Sequence, residues 1–255
     1  MTLKKIIWGL FWCAWNALRI CAALLLSIYL IPVINGLYES EAWRPRERLF
    51  IDPIVCGKIA GQVYEFPRVY FPFWPEYEGR SSFDPGFAEN KQGCDANLVS
   101  VFLSMTWPAL APADESLVFR QGLEHEGLLV SFSPVVGKQG DLRNTLNILL
   151  EASQPGSVNL AGFEESSGLY SVRGRDRLFT RNEQLFYWEG PLESLSSVGF
   201  CSWRPRMPHY YSCKMTYIHE GGVLVEVIML PAKLKYWSRI KELLNDFLAN
   251  SRKAG

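Results

Sequence analysis

A long apolar segment near the start of the chain limits what its first residues can fold into. From Ile6 to Ile34 nearly every side chain is apolar, and Arg19 is the only charged residue. As a single helix this segment would be about 43 Å long, whereas the hydrocarbon core of a bilayer is roughly 30 Å thick. The segment therefore predicts a membrane-crossing helix near residues 14–34, with the preceding residues at the membrane surface.

The aromatic and basic residues of this segment indicate how it would sit in a membrane. Three tryptophans and the arginine recur at i, i+4, i+7 and i+11, so they share one face of a helix. Tryptophan prefers the headgroup region, and an arginine at the bilayer centre would cost about 2.5–3.5 kcal/mol. We therefore expect six residues at the membrane interface: Lys4, Lys5, Trp8, Trp12, Trp15 and Arg19.

The segment could instead be a cleaved signal peptide, but its exit, IPVINGLYESEAW, offers no small-x-small cleavage site. The basic residues before and within the segment favour a cytoplasmic N-terminus, and the arginines of residues 44–48 argue weakly for the opposite orientation. We expect an uncleaved single-pass anchor with a short cytoplasmic stub over residues 1–36. A juxtamembrane tether over residues 37–48 and a periplasmic α+β domain over residues 49–255 would follow.

The cysteines of the domain fit an oxidising compartment. There are four beyond the anchor, none forms a CxxC pair, and no histidine lies at zinc-ligand spacing, so no metal site is predicted. In an exported domain, two disulfides are favoured over buried free thiols. Three connectivities can be formed, and we favour Cys56–Cys94 and Cys201–Cys213 because each pair encloses one local segment.

Period-two and continuous apolar runs dominate the domain and predict a mainly antiparallel sheet. Gly221 and Gly222 predict a hairpin turn between the last two strands, and the run VLVEVIML predicts a central strand. A helix is predicted over residues 141–152. The predicted strands cover residues 60–66, 97–106, 127–134, 169–174, 184–189, 197–203, 212–219 and 223–230.

The last part of the chain changes to a helical period. Its apolar residues recur at three- and four-residue spacing and predict an amphipathic helix over residues 233–250. The apolar side of this helix could dock a partner, but packing on the preceding hairpin is favoured. The predicted fold class is α+β: an N-terminal transmembrane helix, then a mainly antiparallel β-rich body that ends in a β-hairpin and this helix.

Motifs that would indicate catalysis or cofactor binding are absent from the sequence. The chain lacks G-x-S-x-G, G-x-x-x-x-G-K-[ST], G-x-G-x-x-G and H-E-x-x-H. Cys94 is the best candidate nucleophile, and His125 and His209 are the best candidates for acid–base work, but no recognised signature surrounds them. With a formal net charge of zero, the chain also gives no indication of nucleic-acid binding. We predict no enzyme activity, no metal and no cofactor.

An aromatic and proline-rich stretch, YEFPRVYFPFWPEYEG, occupies residues 64–79 between the first two cysteines of the domain. Its prolines exclude a regular helix or a central strand and favour a rigid loop or sheet edge. The rings could fill the core, or an edge of the loop could face a partner protein, as aromatic hot spots do. The candidate contact residues are Phe73, Trp74, Glu76, Tyr77 and Glu78.

The overall organisation combines the apolar anchor at residues 6–34, four cysteines in the domain and no reaction motif. It resembles the membrane-anchored periplasmic immunity proteins that neutralise toxic effectors of bacterial secretion systems. The resemblance implies a noncatalytic, tethered protein of the bacterial inner membrane whose body binds an envelope-targeting enzyme. Two other classes stay open: a structural or adaptor component of an envelope complex, and an anchored envelope hydrolase.

Overall fold

The computed structural model describes residues 53–81, 83–113, 127–151, 161–175, 183–203 and 212–253. The predicted anchor, the predicted tether and all six residues assigned to the membrane interface lie outside these ranges. Within the ranges, neither helix combines the length and the apolar character that crossing a bilayer requires.

The described residues form eleven β-strands, in agreement with the predicted β-rich body. The strands are β1 (Ile54–Ile59), β2 (Gln62–Pro67), β3 (Glu76–Tyr77), β4 (Leu98–Thr106), β5 (Gly127–Pro134), β6 (Gly162–Glu164), β7 (Leu169–Arg175), β8 (Glu183–Glu189), β9 (Ser197–Trp203), β10 (Ser212–His219) and β11 (Val223–Met229). The first two make a separate hairpin, and the other nine form one sheet in the order β3-β4-β5-β11-β10-β9-β8-β7-β6. Each neighbouring pair of strands is antiparallel.

The predicted C-terminal hairpin is confirmed. Strands β10 and β11 pair from Cys213 opposite Met229 to His219 opposite Val223. The turn between them uses Gly221 and Gly222, whose φ angles of 84° and 79° lie in the left-handed region that favours glycine. Strand β11 is bonded to β5 on its other side, so both of its edges are paired and it is central, as its apolar sequence predicts.

One face of the nine-stranded sheet packs against α2 (Trp237–Ser251), which follows a 3-10 turn over Pro231–Tyr236. Residues directly opposite each other in neighbouring strands share a face. One row on this face runs Val101, Phe132, Val225, Tyr217, Ser197, Glu189. The apolar stripe of the helix is fully buried over this face, so the predicted packing on the hairpin sheet is confirmed. The stripe consists of Trp237, Ile240, Leu244 and Leu248.

The opposite face is covered by α1 (Leu142–Glu151) over the strands at one end of the sheet. The helix begins after Asp141, whose Oδ1 accepts a hydrogen bond of 2.9 Å from the Asn144 N–H and so caps it. Its buried leucines pack on Val198 of β9 and on side chains of β7 and β8. We call this the α1 face of the sheet. On it, Val198 belongs to a row of paired residues that continues toward the other end of the sheet through Thr216, Glu226, Ser131 and Phe102.

A chain of hydrogen bonds fastens α2 to the sheet. The indole Nε1 of Trp237 donates to Ser197 Oγ at 2.9 Å, and that hydroxyl donates to Glu189 Oε2, also at 2.9 Å. Lys241 Nζ approaches the same carboxylate oxygen at 2.6 Å. Burial alone would raise the pKa of the Glu189 carboxyl, but the hydrogen bonds from Lys241 and the serines, with the Lys241 charge, lower it overall.

The two predicted disulfides are confirmed. Cys56 of β1 is bonded to Cys94, which lies in the segment before β4, and Cys201 is bonded to Cys213. The second bond joins residues directly opposite each other in β9 and β10. The first encloses the aromatic stretch and links the β1–β2 hairpin to the main sheet.

Candidate functional site

The aromatic stretch folds so that most of its rings turn inward. Tyr64 and Phe66 in β2 are buried, and so is Phe71 in the following loop. The Phe66 ring lies among Tyr64, Phe132 and Phe247, with ring centroids 5.9 to 6.1 Å apart. Tyr70 is partly buried, and burial raises the pKa of its hydroxyl. These rings belong to the core that joins the hairpin to α2.

Two rings of the same stretch turn outward. A 3-10 turn over Arg68–Tyr70 follows Pro67, and the loop to β3 then exposes Phe73 by 51% and Trp74 by 62%. Pro72 and Pro75, on either side of this pair, are buried. Proline fixes its own φ near −65° and restricts the residue before it, so the backbone on either side of the pair, and Trp74 before Pro75, has reduced freedom. We call the exposed pair Phe73 and Trp74 the aromatic surface.

A buried arginine lies beneath the aromatic surface. Arg68 is only 6% exposed, and its Nη1 donates to the Phe73 carbonyl oxygen at 3.0 Å. The guanidinium carbon lies 4.7 Å from the centre of the Trp74 ring and 5.4 Å from that of Phe71. A guanidinium over a ring face attracts the ring electrostatically, and the attraction is stronger where water is excluded. Arg68 therefore contacts both exposed residues from the protein side.

The other support of the aromatic surface is the edge of the main sheet. The Phe73 ring packs on Phe102 of β4 with centroids 5.7 Å apart. Phe102 points to the α1 face, and Glu76, which is opposite Ser100 of β4, points to the same face one pair further along. The aromatic surface thus lies beside β4, on the face of the sheet that carries α1 but at the opposite end from that helix.

The structure separates the five predicted contact residues. Phe73 and Trp74 are exposed, Glu76 is half-buried, and Glu78 is exposed and accepts a hydrogen bond of 2.7 Å from Asn97 Nδ2. The fifth, Tyr77, does not face outward. It is 5% exposed, and its hydroxyl donates to the Cys56 carbonyl oxygen at 2.8 Å. Tyr77 therefore lies in the core and not on the exposed edge, at a point where the register between β3 and β4 is irregular.

Sequence reasoning missed Arg68, although the sequence contains a signal for it. It is the only charged residue between Glu65 and Glu76, in a run otherwise made of aromatic, proline and valine residues. A single cation among so many rings indicates a cation–π contact. The stretch also lies between two cysteines that the structure joins, so its ends are held together.

The residues considered for catalysis are not assembled into a reactive group. Cys94 is in a disulfide, so it carries no thiol that could act as a nucleophile. His125 and His209 lie outside the described residues. Cys56, Cys94 and Glu65 place their potential ligand atoms within 4.8 Å of one another. Because the two sulfurs are bonded to each other, neither is the thiolate that a metal would require.

Two cavities in the described part of the chain lie away from the aromatic surface. One, of about 410 Å³, opens between the start of α1, the β8–β9 turn and α2. The other, of about 420 Å³, lies between the β1–β2 and β10–β11 turns and the end of α2. Neither lining combines a serine or cysteine with a histidine. In the second, His219 Nδ1 lies 2.9 Å from Asn245 Oδ1.

Comparison with known proteins gives a likeness in fold. No family model matches the chain, and no curated protein matches its sequence. Among solved structures, the chain is similar to Smlt3025, described as an immunity protein of the Stenotrophomonas maltophilia type IV secretion system. The match covers 80% of this chain and 94% of that one, at 15% sequence identity and a TM-score of 0.52. At this identity the likeness shows that the two chains share a fold.

Proposed function

We propose that this protein is a noncatalytic inhibitor of the immunity type, which binds and neutralises a toxic effector enzyme that attacks the cell envelope. The observation that carries the proposal is an exposed aromatic pair, rigidly held, on a fold similar to that of an immunity protein. Disulfides in the domain support an oxidising location such as the periplasm.

The aromatic surface is the proposed contact with the effector. Exposed Trp and Phe on a rigid support are typical of binding hot spots, because they bury a large area on association and lose little conformational entropy. Phe73 and Trp74 would form the centre of the contact. Glu76 and Glu78 would add carboxylates at its rim, where charges set the association rate and the choice of partner more than the affinity.

The proposal includes a membrane tether. Residues 6–34 would span the bacterial inner membrane with the N-terminus in the cytoplasm, and the tether over residues 37–48 would hold the domain in the periplasm. The apolar composition of that segment and the positive charges before it support this arrangement. Confinement to the membrane raises the local concentration of the inhibitor where an envelope-targeting enzyme acts.

The test uses the full-length protein and a product of a neighbouring gene that is toxic when it is directed to the periplasm; we call this product the toxin. Wild type should form a one-to-one complex with the toxin and relieve its toxicity in the periplasm. Trp74→Ala should weaken the complex about 30-fold or more, the effect of losing a hot-spot residue. Calorimetric titration measures the affinity, and thermal unfolding checks that the fold is retained.

Phe163→Ala provides the matched control. Phe163 is 56% exposed, close to the exposure of Trp74, but it belongs to β6 at the opposite edge of the sheet from β3. This variant should bind the toxin as tightly as wild type. Equal binding by Trp74→Ala and wild type would refute the proposed surface. Stable recovery of membrane-complex subunits, with no toxin complex, would support the adaptor class, and hydrolysis of wall or lipid by the purified protein would support the enzyme class.

A further inference from the structure

We infer that Arg68 is a positioning residue that fixes Phe73 and Trp74 in their binding orientation before any partner arrives. Its importance for binding rests on the proposed function, whereas its effect on the two rings is a property of the free protein. Four contacts support the inference: two from the Arg68 backbone, one from a guanidinium nitrogen, and one between the guanidinium and the Trp74 ring.

Two hydrogen bonds hold the backbone of Arg68 in place. Its N–H donates to the carbonyl oxygen of Pro53 at 2.7 Å, which joins the end of β2 to the residue just before β1. Its own carbonyl oxygen accepts from the Phe71 N–H at 3.0 Å and closes the 3-10 turn. With both backbone groups bonded, the side chain leaves the hairpin in a defined direction.

The guanidinium then reaches the exposed loop in two different ways. Nη1 holds the Phe73 carbonyl oxygen at 3.0 Å and so fixes the backbone at the exposed pair. The guanidinium carbon lies over the Trp74 ring, 4.7 Å from its centre, and Arg68 is buried while Trp74 is 62% exposed. One group therefore sets both the backbone at Phe73 and the ring of Trp74.

Only arginine can make both contacts at once. Its fork of N–H donors lies in the same plane as the delocalised charge that stacks on a ring, whereas the ammonium of lysine is a compact point charge. Without the guanidinium, the exposed rings would sample several rotamers, and a partner would have to order them on binding. Ordering of side chains at an interface reduces affinity, so loss of Arg68 should weaken binding without removing any contact residue.

The first arm of the test follows Trp74 in the free, full-length protein. The chain contains nine tryptophans, so 5-fluorotryptophan labelling gives nine ¹⁹F resonances, and Trp74→Phe identifies the one from Trp74. In Arg68→Met and Arg68→Lys the Trp74 resonance should move toward the position of a solvated indole and narrow, while the resonance of the core residue Trp237 stays in place. Arg80→Met is the matched control, because Arg80 Nη1 also holds a loop carbonyl, that of Pro85 at 2.7 Å, in an exposed loop.

The second arm measures toxin binding by the same variants. Arg68→Met should weaken the complex about tenfold, equivalent to about 1.4 kcal/mol, mainly through a lower association rate constant. Arg68→Lys should recover little of that loss, and Arg80→Met should bind as wild type. Arg68→Lys keeps the charge and most of the side-chain length. If Arg68→Met does not fold, Arg68→Lys therefore tests the inference in its place.

The outcomes of the two arms are separable. An unchanged Trp74 resonance in the folded Arg68 variants would overturn the inference outright. A moved resonance with unchanged toxin affinity would overturn the role of Arg68 in binding. If wild type binds no toxin, the proposed function fails, and the Trp74 resonance still decides whether Arg68 positions the ring.

Discussion

Replacing Glu189 by glutamine should loosen the attachment of α2 to the sheet. The carboxylate accepts hydrogen bonds from Ser197 Oγ and Lys241 Nζ, and Ser197 in turn accepts from Trp237 at the beginning of the helix. Glutamine keeps an acceptor oxygen but loses the charge, so the attraction to the lysine ammonium disappears. The variant therefore tests the ion pair more than the packing.

The expected loss of stability follows from the burial of this pair. An exposed ion pair contributes at most about 1 kcal/mol, whereas removing one partner of a fully buried pair costs about 3–5 kcal/mol. The side chains of Lys241 and Glu189 are 21% and 26% exposed, between these limits and nearer the buried one. Because glutamine can still accept the hydrogen bond from Ser197, the loss should be smaller than for a fully buried pair, and we expect Glu189→Gln to lower the free energy of unfolding by about 2 kcal/mol at pH 7.

The pH dependence gives a sharper test, because the pKa of Glu189 is lowered from its usual value of 4.5. A lowered carboxyl pKa in the folded state stabilises the protein above the unfolded-state pKa, and this contribution is lost as the pH falls through the folded-state pKa. The difference between wild type and Glu189→Gln in urea unfolding should therefore be constant from pH 7 to about 5 and shrink below about 4.5.

Glu242→Gln is the control on the same helix, because Glu242 pairs with Arg239 at 2.6 Å with both side chains more than half exposed. It should change the free energy of unfolding by less than about 1 kcal/mol. A Glu189→Gln effect no larger than that of Glu242→Gln, or one that persists unchanged at pH 3, would refute the reasoning.

Three further changes test other parts of the structure. Replacing Cys56 and Cys94 together by serine should lower the free energy of unfolding by about 4 kcal/mol, from the closure entropy of a separation of 38 residues, measured by urea unfolding. Gly199→Ala should cost about 1–3 kcal/mol, because a methyl group there would overlap the Lys214 carbonyl oxygen; Gly162→Ala, with no atom near the added methyl, should cost much less. Tyr77→Phe should lower thermal stability by about 1 kcal/mol through loss of the hydrogen bond to the Cys56 carbonyl oxygen, and equal melting temperatures would contradict this.

Much of the main sheet could be predicted because its strands combine continuous apolar sequence with local turns. The predicted bounds of β5, β9 and β10 agree with the observed ones, and each strand lies between segments of different composition. The cysteine pairs were also predictable, since each encloses one local segment. In these regions the local pattern and the tertiary packing favour the same structure.

The short strands β1 and β6 were not predictable from a period of their own, although each pairs with the strand that directly follows it. Strand β1 contains Gly57, where an added Cβ would lie 2.6 Å from the Leu98 side chain, so the glycine reflects close packing on β4. Strand β6 has three residues, all exposed, and carries no apolar alternation. The helix predicted over residues 233–250 begins as a 3-10 turn and becomes α-helical at Trp237, a difference that apolar spacing does not reveal.

The candidate site was only partly predictable, for a similar reason. The stretch at residues 64–79 has enough rings both for the core and for a surface, and composition alone does not assign each one. Tyr77 faces inward because β3 pairs with a strand about twenty residues later in the chain. Phe73 and Trp74 face outward because buried prolines and Arg68 hold the loop on its inner side.

The hydrogen bond between the Arg68 N–H and the Pro53 carbonyl oxygen also closes the open end of the β1–β2 hairpin, because Pro53 directly precedes β1 and Arg68 directly follows β2. The orientation of the exposed pair Phe73 and Trp74 therefore depends on a backbone contact at this end of the hairpin, with a residue about twenty positions earlier in the chain. Loss of that hydrogen bond would free the backbone from which Arg68 reaches the loop, and so disturb both rings without touching either of them.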